Sequence, residues 1–307
     1  MRMMSINRAF LRQRILGGER RLIGSLEIEV LVEDTENPEK PMLWTEHGLS
    51  ILITAEVDDR EVRILFDTGA SGGPLVHNAS LMEVDLRKVD IMVLSHGHYD
   101  HTGGLVAALK EIRPKTPIPI ILHPDALGRK FALKPRLRYT GIPCSEREVE
   151  DLGGRFLASR KPVKLADGIT ATGEIERVTG IEKTPEDYII LRNGELVRDI
   201  MLDDQALIME SRKGLIIITG CAHAGIINTV KYAQKIIKEE KVYALIGGFH
   251  LINASDERLT KTIEELKEIS PAVIAPCHCT GEKAVSRLRM NFKDEFKEVH
   301  VGSALRM

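Results

Sequence analysis

No stretch of this sequence stays apolar for the roughly 18 residues that a membrane-spanning helix needs. The basic start, with Arg2, Arg8, Arg12 and Arg14, lacks the apolar core of a secretory signal. These two absences lead us to expect a soluble, cytoplasmic protein. An excess of charge is lacking too: 43 Lys and Arg against 45 Asp and Glu leave a net charge of −2. No overall field then draws the chain to nucleic acid or to a membrane surface. Cysteine is scarce, with only Cys144, Cys221, Cys277 and Cys279 in 307 residues. That excludes a disulfide framework and suits a reducing compartment. Internal repeats and low-complexity tracts are absent as well, so solenoid architectures drop out.

The chain does have the balance of a globular protein, 43% hydrophobic and 29% charged. Residues 26–32 alternate apolar with acidic and predict a strand. Residues 49–57 and 61–66 predict a hairpin turning at Asp58-Asp59. Further strands are expected at 89–94, 118–122, 163–165, 169–172, 188–191, 206–210, 214–219, 242–246 and 272–275. Helices are expected at 78–86, 105–112, 226–240, 255–269 and 282–290. Residues 1–24 are basic and partly amphipathic. They read as an extension (a short helix, a contact between copies of the chain, or a frayed arm), and residues 25–307 read as one domain.

The chain is organised around Ser95-His96-Gly97-His98-Tyr99-Asp100-His101-Thr102-Gly103-Gly104. Four metal-binding side chains fall within six residues, on a tight loop following an apolar strand. Side chains two apart on an extended segment point the same way, so His96 and His98 can reach one metal. Once the chain turns, Asp100 and His101 can face a second. Imidazole with carboxylate suits zinc, iron or manganese better than calcium or magnesium.

Three more strands end in histidine: His223 in Gly220-Cys221-Ala222-His223, His250 in Gly247-Gly248-Phe249-His250, and His278 in Pro276-Cys277-His278-Cys279. Six of the ten histidines thus sit where a predicted strand gives way to a helix. In a parallel arrangement such strand ends share one edge of a sheet. With Asp100 they supply enough ligands for two metals with positions left open for substrate.

Other residues carry two readings each. Asp67, at the head of Asp67-Thr68-Gly69, is expected to accept a hydrogen bond from the histidine loop without binding metal; the plainer alternative is a turn cap. Arg129, Lys130, Lys134, Arg136 and Arg138 are five cations in ten residues. They read as a phosphate clamp, with Arg136 and Arg138 as its candidates, or as a solvated face. Cys221 is expected to pack under the following helix more than to bind metal. Cys277 and Cys279 read as packing residues, and His123 as structural.

His96-Gly97-His98-Tyr99-Asp100-His101 resembles the His-x-His-x-Asp-His signature of the metallo-β-lactamase fold superfamily, and Asp67-Thr68-Gly69 resembles its first motif. The finer pattern (Leu94 to His98, Gly220 to Ile226, Gly247 to Leu251, and His278-Cys279-Thr280-Gly281) resembles one branch of it. That branch holds the 7,8-dihydropterin-6-yl-methyl-4-(β-D-ribofuranosyl)aminobenzene 5′-phosphate synthases and related metal-dependent hydrolases. The resemblance implies an α/β fold, a four-layer αβ/βα sandwich. It also implies a site of His96, His98, Asp100, His101, His223 and His278 around two divalent metals. Zinc comes first, with magnesium, manganese or iron compatible.

Two departures stand out. Thr172-Gly173-Glu174 lacks the histidine that superfamily hydrolases place there, and Cys221 replaces their bridging Asp. His223 then takes over as the later ligand to the first metal, and His278 resembles the final histidine. Asp100 and His250 are the candidate catalytic residues, His250 as an extra ligand or a substrate contact. The implied function is a diphosphate-releasing condensation on a pterin, as in tetrahydromethanopterin-type cofactor synthesis. The alternatives are hydrolysis of a phosphate ester or other small ester, and a non-enzymatic metal scaffold. The expected partner is a small molecule, a pterin or a phosphorylated compound. Association between copies stays open.

Overall fold

The computed structural model describes residues 22–307. Most of the basic extension therefore lies outside the described residues, although Ile23 is already buried in the core. Strands β1 (Leu26–Val32), β2 (Ser50–Val57) and β3 (Arg60–Phe66) form an antiparallel run. The hairpin between β2 and β3 turns on Asp58 and Asp59, both at positive φ (49° and 59°), as a two-residue connection requires. Helix α1 (Gly73–Leu81) starts earlier than the predicted 78–86. Pro74 suits a first helical turn, and Glu83 at φ 58° ends the run.

Strands β4 (Ile91–Val93) and β5 (Ile118–Leu122) add in parallel to β3. Between them lie the short α2 (Tyr99–Thr102) and α3 (Leu105–Ile112). The chain then leaves this sheet as β6 (Arg129–Ala132) and β7 (Arg138–Tyr139). It returns through α4 (Glu146–Asp151) to β8 (Gly154–Ala158), parallel to β5. A second sheet begins with β9 (Val163–Ala166) and β10 (Ile169–Ala171). Strands β11 (Tyr188–Arg192) and β12 (Glu195–Arg198) join β6 and β7 in a small third sheet. The second sheet resumes with β13 (Ala206–Ser211) and β14 (Gly214–Thr219). Parallel β15 (Val242–Gly248) and β16 (Val273–Cys277) follow, linked by α5 (Ile226–Ile237) and α6 (Asp256–Ile269). After α7 (Glu282–Phe292), β17 (Ala304–Arg306) pairs with β1.

The layers follow from which way each strand residue faces. In β14, Ile216 and Ile218 point into the core between the sheets, while Leu215 and Ile217 pack under α5 and α6. In β3, Ile64 and Phe66 face that same inter-sheet core, and Leu65 faces α1 and α3. Strands buried on both faces need a helix layer outside each sheet. The result is helices, sheet, sheet, helices: the four-layer arrangement.

Strands β6, β7, β8, β12 and β17 are additions to the predicted set. They are two to five residues long, and several are charged and exposed. Pairing with a neighbour, not apolar alternation, holds such strands. The histidine-bearing strand ends do not share one sheet: β4 belongs to the first, and β14, β15 and β16 to the second.

Candidate metal centre

The loop 94–102 leaves β4 and meets the ends of β14, β15 and β16 across the gap between the sheets. Two close approaches allow this. A side chain at Gly97 would run into the Ala126 carbonyl, and one at Gly220 into the Ser95 side chain. Four non-glycine residues here hold left-handed backbone: Asp67 (φ 59°), Ala222 (φ 55°), His250 (φ 48°) and His278 (φ 49°). Strain of this kind persists where surrounding contacts over-determine the local geometry.

Four groups of donor atoms result among the described residues, the fourth being Asp34, His47 and His278 on the solvent side. The first is His96, His98 and His223. His96 Nε2 lies 2.9 Å from His98 Nδ1, and the His223 ring centroid is 4.8 Å from that of His96 and 5.0 Å from that of His98. The second is Asp100, His101, Cys221 and His278. His101 Nε2 lies 3.2 Å from His278 Nε2 and 3.1 Å from Cys221 Sγ, and Asp100 Oδ2 is 3.6 Å from both of those imidazoles. Cys221 and His223 also form the third group, with His250, whose ring centroid lies 4.2 Å from that of His223. Cys221 is buried, as packing required, but its sulfur faces the donors instead of the underside of α5.

His98 Nε2, both ring nitrogens of His223 and His250 Nδ1 are buried with no hydrogen-bond partner. Buried polar atoms are seldom left so. Burial, reinforced by the neighbouring imidazoles, drives His96 and His223 well below the ordinary histidine value. Burial brings His98 down to about 4. These rings are therefore neutral at pH 7, the form in which an imidazole binds a metal. Burial alone would raise Asp100, but His101, His278 and His98 outweigh it and hold the carboxyl well below the usual range. Burial raises the Cys221 thiol well above its ordinary value, so a thiolate there calls for an adjacent cation. Unpartnered imidazoles, an ionised carboxylate and a thiol together fit one or more transition-metal ions.

Carboxylates stand behind the donors. Asp67 Oδ1 accepts from the Ser95 amide at 2.7 Å, and Oδ2 from Ser95 Oγ at 2.6 Å and His101 Nδ1 at 2.7 Å. On the far side, Asp34 Oδ1 lies 2.6 Å from His278 Nδ1, and Glu33 Oε1 accepts the His278 amide at 2.7 Å. Asp34 also holds His47, whose Nε2 reaches to 3.6 Å from Asp100 at the solvent side. Sequence reading missed Glu33, Asp34 and His47, which sit in a polar loop without metal-ligand spacing. The adjacent acids Glu33-Asp34 at a strand end were the only signal.

The basic stretch divides. Lys130 is 1% exposed and bonds Asp199 at 2.6 Å and Asp203 at 2.8 Å. Lys134 pairs with Asp187. The reading of five cations as one clamp is thus corrected: the chain spends Lys130 internally, because a buried ammonium requires counter-charges. Arg136 and Arg138 are exposed, and Tyr188, whose ring stacks on His98 at 5.2 Å, feels the charge of Arg138. Cys277 belongs to the inter-sheet core. Cys279 reaches the Cys221 carbonyl at 3.4 Å. His123 bonds Glu174, outside the donor groups.

A four-layer sandwich with a histidine loop between its sheets defines a known class, and the comparisons agree. Residues 44–278 match the metallo-beta-lactamase superfamily, and the chain belongs to it. Members usually bind divalent metals. More narrowly, the chain is 40% identical over 289 residues to the 7,8-dihydropterin-6-methyl-4-(beta-D-ribofuranosyl)-aminobenzene-5'-phosphate synthase of Methanocaldococcus jannaschii, covering 92% of this chain and 97% of that one. It is 33% identical to an uncharacterized protein of the same organism, covering 91% of this chain and 99% of the relative. Among solved structures, Tm1679, a metal-dependent hydrolase of the beta-lactamase superfamily, aligns with TM-score 0.75 and 30% identity over 91% of this chain and 98% of its own. No helix among the described residues is long and apolar enough to cross a membrane.

Proposed function

We propose that this protein is a metal-dependent transferase. It would join the methyl carbon of a dihydropterin-methyl diphosphate to the aniline nitrogen of a ribosylated aminobenzene phosphate, releasing diphosphate. The near full-length relation to the synthase carries this reading, since both chains are spanned almost end to end. His96, His98 and His223 would hold one divalent metal, and Asp100, His101 and His278 a second, with Cys221 between them where the superfamily has a bridging Asp. Zinc suits this mixture of nitrogen, oxygen and sulfur donors. Bound metal would supply charge neutralisation for the departing diphosphate.

The protein's own groups do the rest. Asp67 and Asp34 fix the orientation of His101 and His278 through their outer nitrogens. Asp100, kept ionised, accepts a hydrogen bond from the incoming amine. His250, partly exposed and with a free buried Nδ1, contacts the substrate. Arg136 and Arg138, both exposed, hold phosphate oxygens. A cytoplasmic location suits such biosynthetic chemistry.

Hydrolysis of a phosphate ester or other small ester is the second reading, supported by the 30% identity to a metal-dependent hydrolase. One assay separates them. Purified enzyme with added zinc is given the pterin diphosphate, with and without the aminobenzene acceptor. Diphosphate release that requires the acceptor and yields the condensed product supports the transferase. Equal release without acceptor, giving hydroxymethyl pterin, overturns it in favour of hydrolysis.

A further inference from the structure

Two parts of the chain brace the histidine loop. Asp67, from the first sheet, reaches both ends: it accepts hydrogen bonds from His101 Nδ1 and from the Ser95 amide and hydroxyl, and that hydroxyl lies 2.9 Å from His96 Nδ1. The second brace, at the His96–His98 end, is the segment just before β13. Asp203 Oδ2 accepts the Gly97 amide at 2.8 Å. Gln205 accompanies it: its amide and side-chain nitrogen donate to the Ser95 and Leu94 carbonyls, each at 2.8 Å. Between them, Asp204 Oδ2 accepts the Ala224 amide at 2.8 Å, one residue beyond His223. Three successive side chains thus tie together the two loops that carry His96, His98 and His223.

This segment is held from the third sheet. Asp203 is fully buried, and its charge is balanced by Lys130 on β6, itself bonded to Asp199. The same sheet touches the loop twice more. Thr140, the residue after β7, whose amide bonds the Lys130 carbonyl, gives its own carbonyl to the Tyr99 amide at 2.9 Å, and Tyr188 on β11 lays its ring along His98. By contrast, neither Lys130 nor Asp203 bonds any residue of the second donor group.

We infer that Lys130 is a positioning residue for the first metal position alone: through Asp203 it sets the Gly97 amide and hence the aim of His96 and His98. Asp67 supports both positions through Ser95 and His101, whereas Lys130 and Asp203 reach only the first, so the first can be weakened separately. This rests on the metal-enzyme reading above, and the test keeps the two apart.

Metal-free full-length protein is titrated with zinc against a chromophoric chelator, which resolves the binding steps. His98→Ala and His278→Ala identify which step belongs to which donor group. Lys130→Met is then compared with the parent, with Lys134→Ala as the exposed control. We expect Lys130→Met to weaken the His98 step roughly 10–100-fold, as losses behind metal ligands do. The His278 step should stay within about threefold, and Lys134→Ala should change neither. Lys130→Met strands the Asp199 and Asp203 carboxylates, so a variant that fails to fold is replaced by Tyr188→Leu. That change removes the ring from His98 without stranding charge, and it should weaken the same step. Equal weakening of both steps, loss at the His278 step alone, or no change in either folded variant overturns the inference. A parent that binds no zinc overturns the metal-enzyme reading itself and the inference with it.

Discussion

Single residues set the chemistry of the centre. Asp67 takes three hydrogen bonds from Ser95 and His101 while fully buried. Replacing it with Ala should lower metal affinity roughly 10–100-fold; chelator competition measures this, and unchanged affinity would remove Asp67 from the centre's support. His98 carries a pH signature. Its folded value, about 4, lies below the ordinary 6.5, so between those values the unfolded chain binds the extra proton. Stability of the metal-free protein should fall as pH drops from 6.5 towards 4. At about 1.4 kcal/mol per unit this single site contributes on the order of 3 kcal/mol. Melting curves of metal-free parent and His98→Gln across that range should converge at low pH. Parallel curves would contradict the assignment.

At the scale of elements, α5 shows how a helix next to the centre is held. It begins directly after the His223 loop, and its N-cap, Gly225, has no side chain to offer. Glu182, from the connection between β10 and β11, fills that role. Its carboxylate accepts the Ile227 amide at 2.9 Å and the Asn228 amide at 2.8 Å. Burial raises this carboxyl although the amides pull it down. Glu182→Ala should destabilise the protein by about 1.5–3 kcal/mol, the range for hydrogen bonds to a charged group; urea unfolding measures it, and a smaller loss in Glu182→Gln is expected. The same carboxylate occupies the α5 N-terminus, which leaves the exposed Arg136 and Arg138 as the proposed phosphate contacts. Replacing Arg136 and Arg138 together should weaken diphosphate binding by about 1.5–3 kcal/mol for each charge-assisted hydrogen bond removed, with metal content unchanged. Calorimetry with diphosphate and metal analysis on one preparation checks both.

Across the whole molecule, the sequence determined by itself whatever depends on neighbours along the chain. The spacing of His96, His98, Asp100 and His101 on one turn is local. So is the burial of both faces in strands such as residues 214–219, which already demands helices outside a sheet. The resemblance to the superfamily rested on such runs, and the fold and family follow it. Tertiary structure decided what depends on side chains far apart. Lys130 reads as one cation among five until Asp199 and Asp203 close around it from about 70 residues away. Cys221 reads as a small packing residue until His101, 120 positions earlier, comes within 3.1 Å of its sulfur. Asp34 reads as loop polarity until His278 turns its outer nitrogen to it. The physical reason is the same in each case. Backbone periodicity and metal-ligand spacing are written in consecutive residues, whereas the partner of a buried charge, thiol or imidazole is fixed only when two sheets pack and exclude water between them.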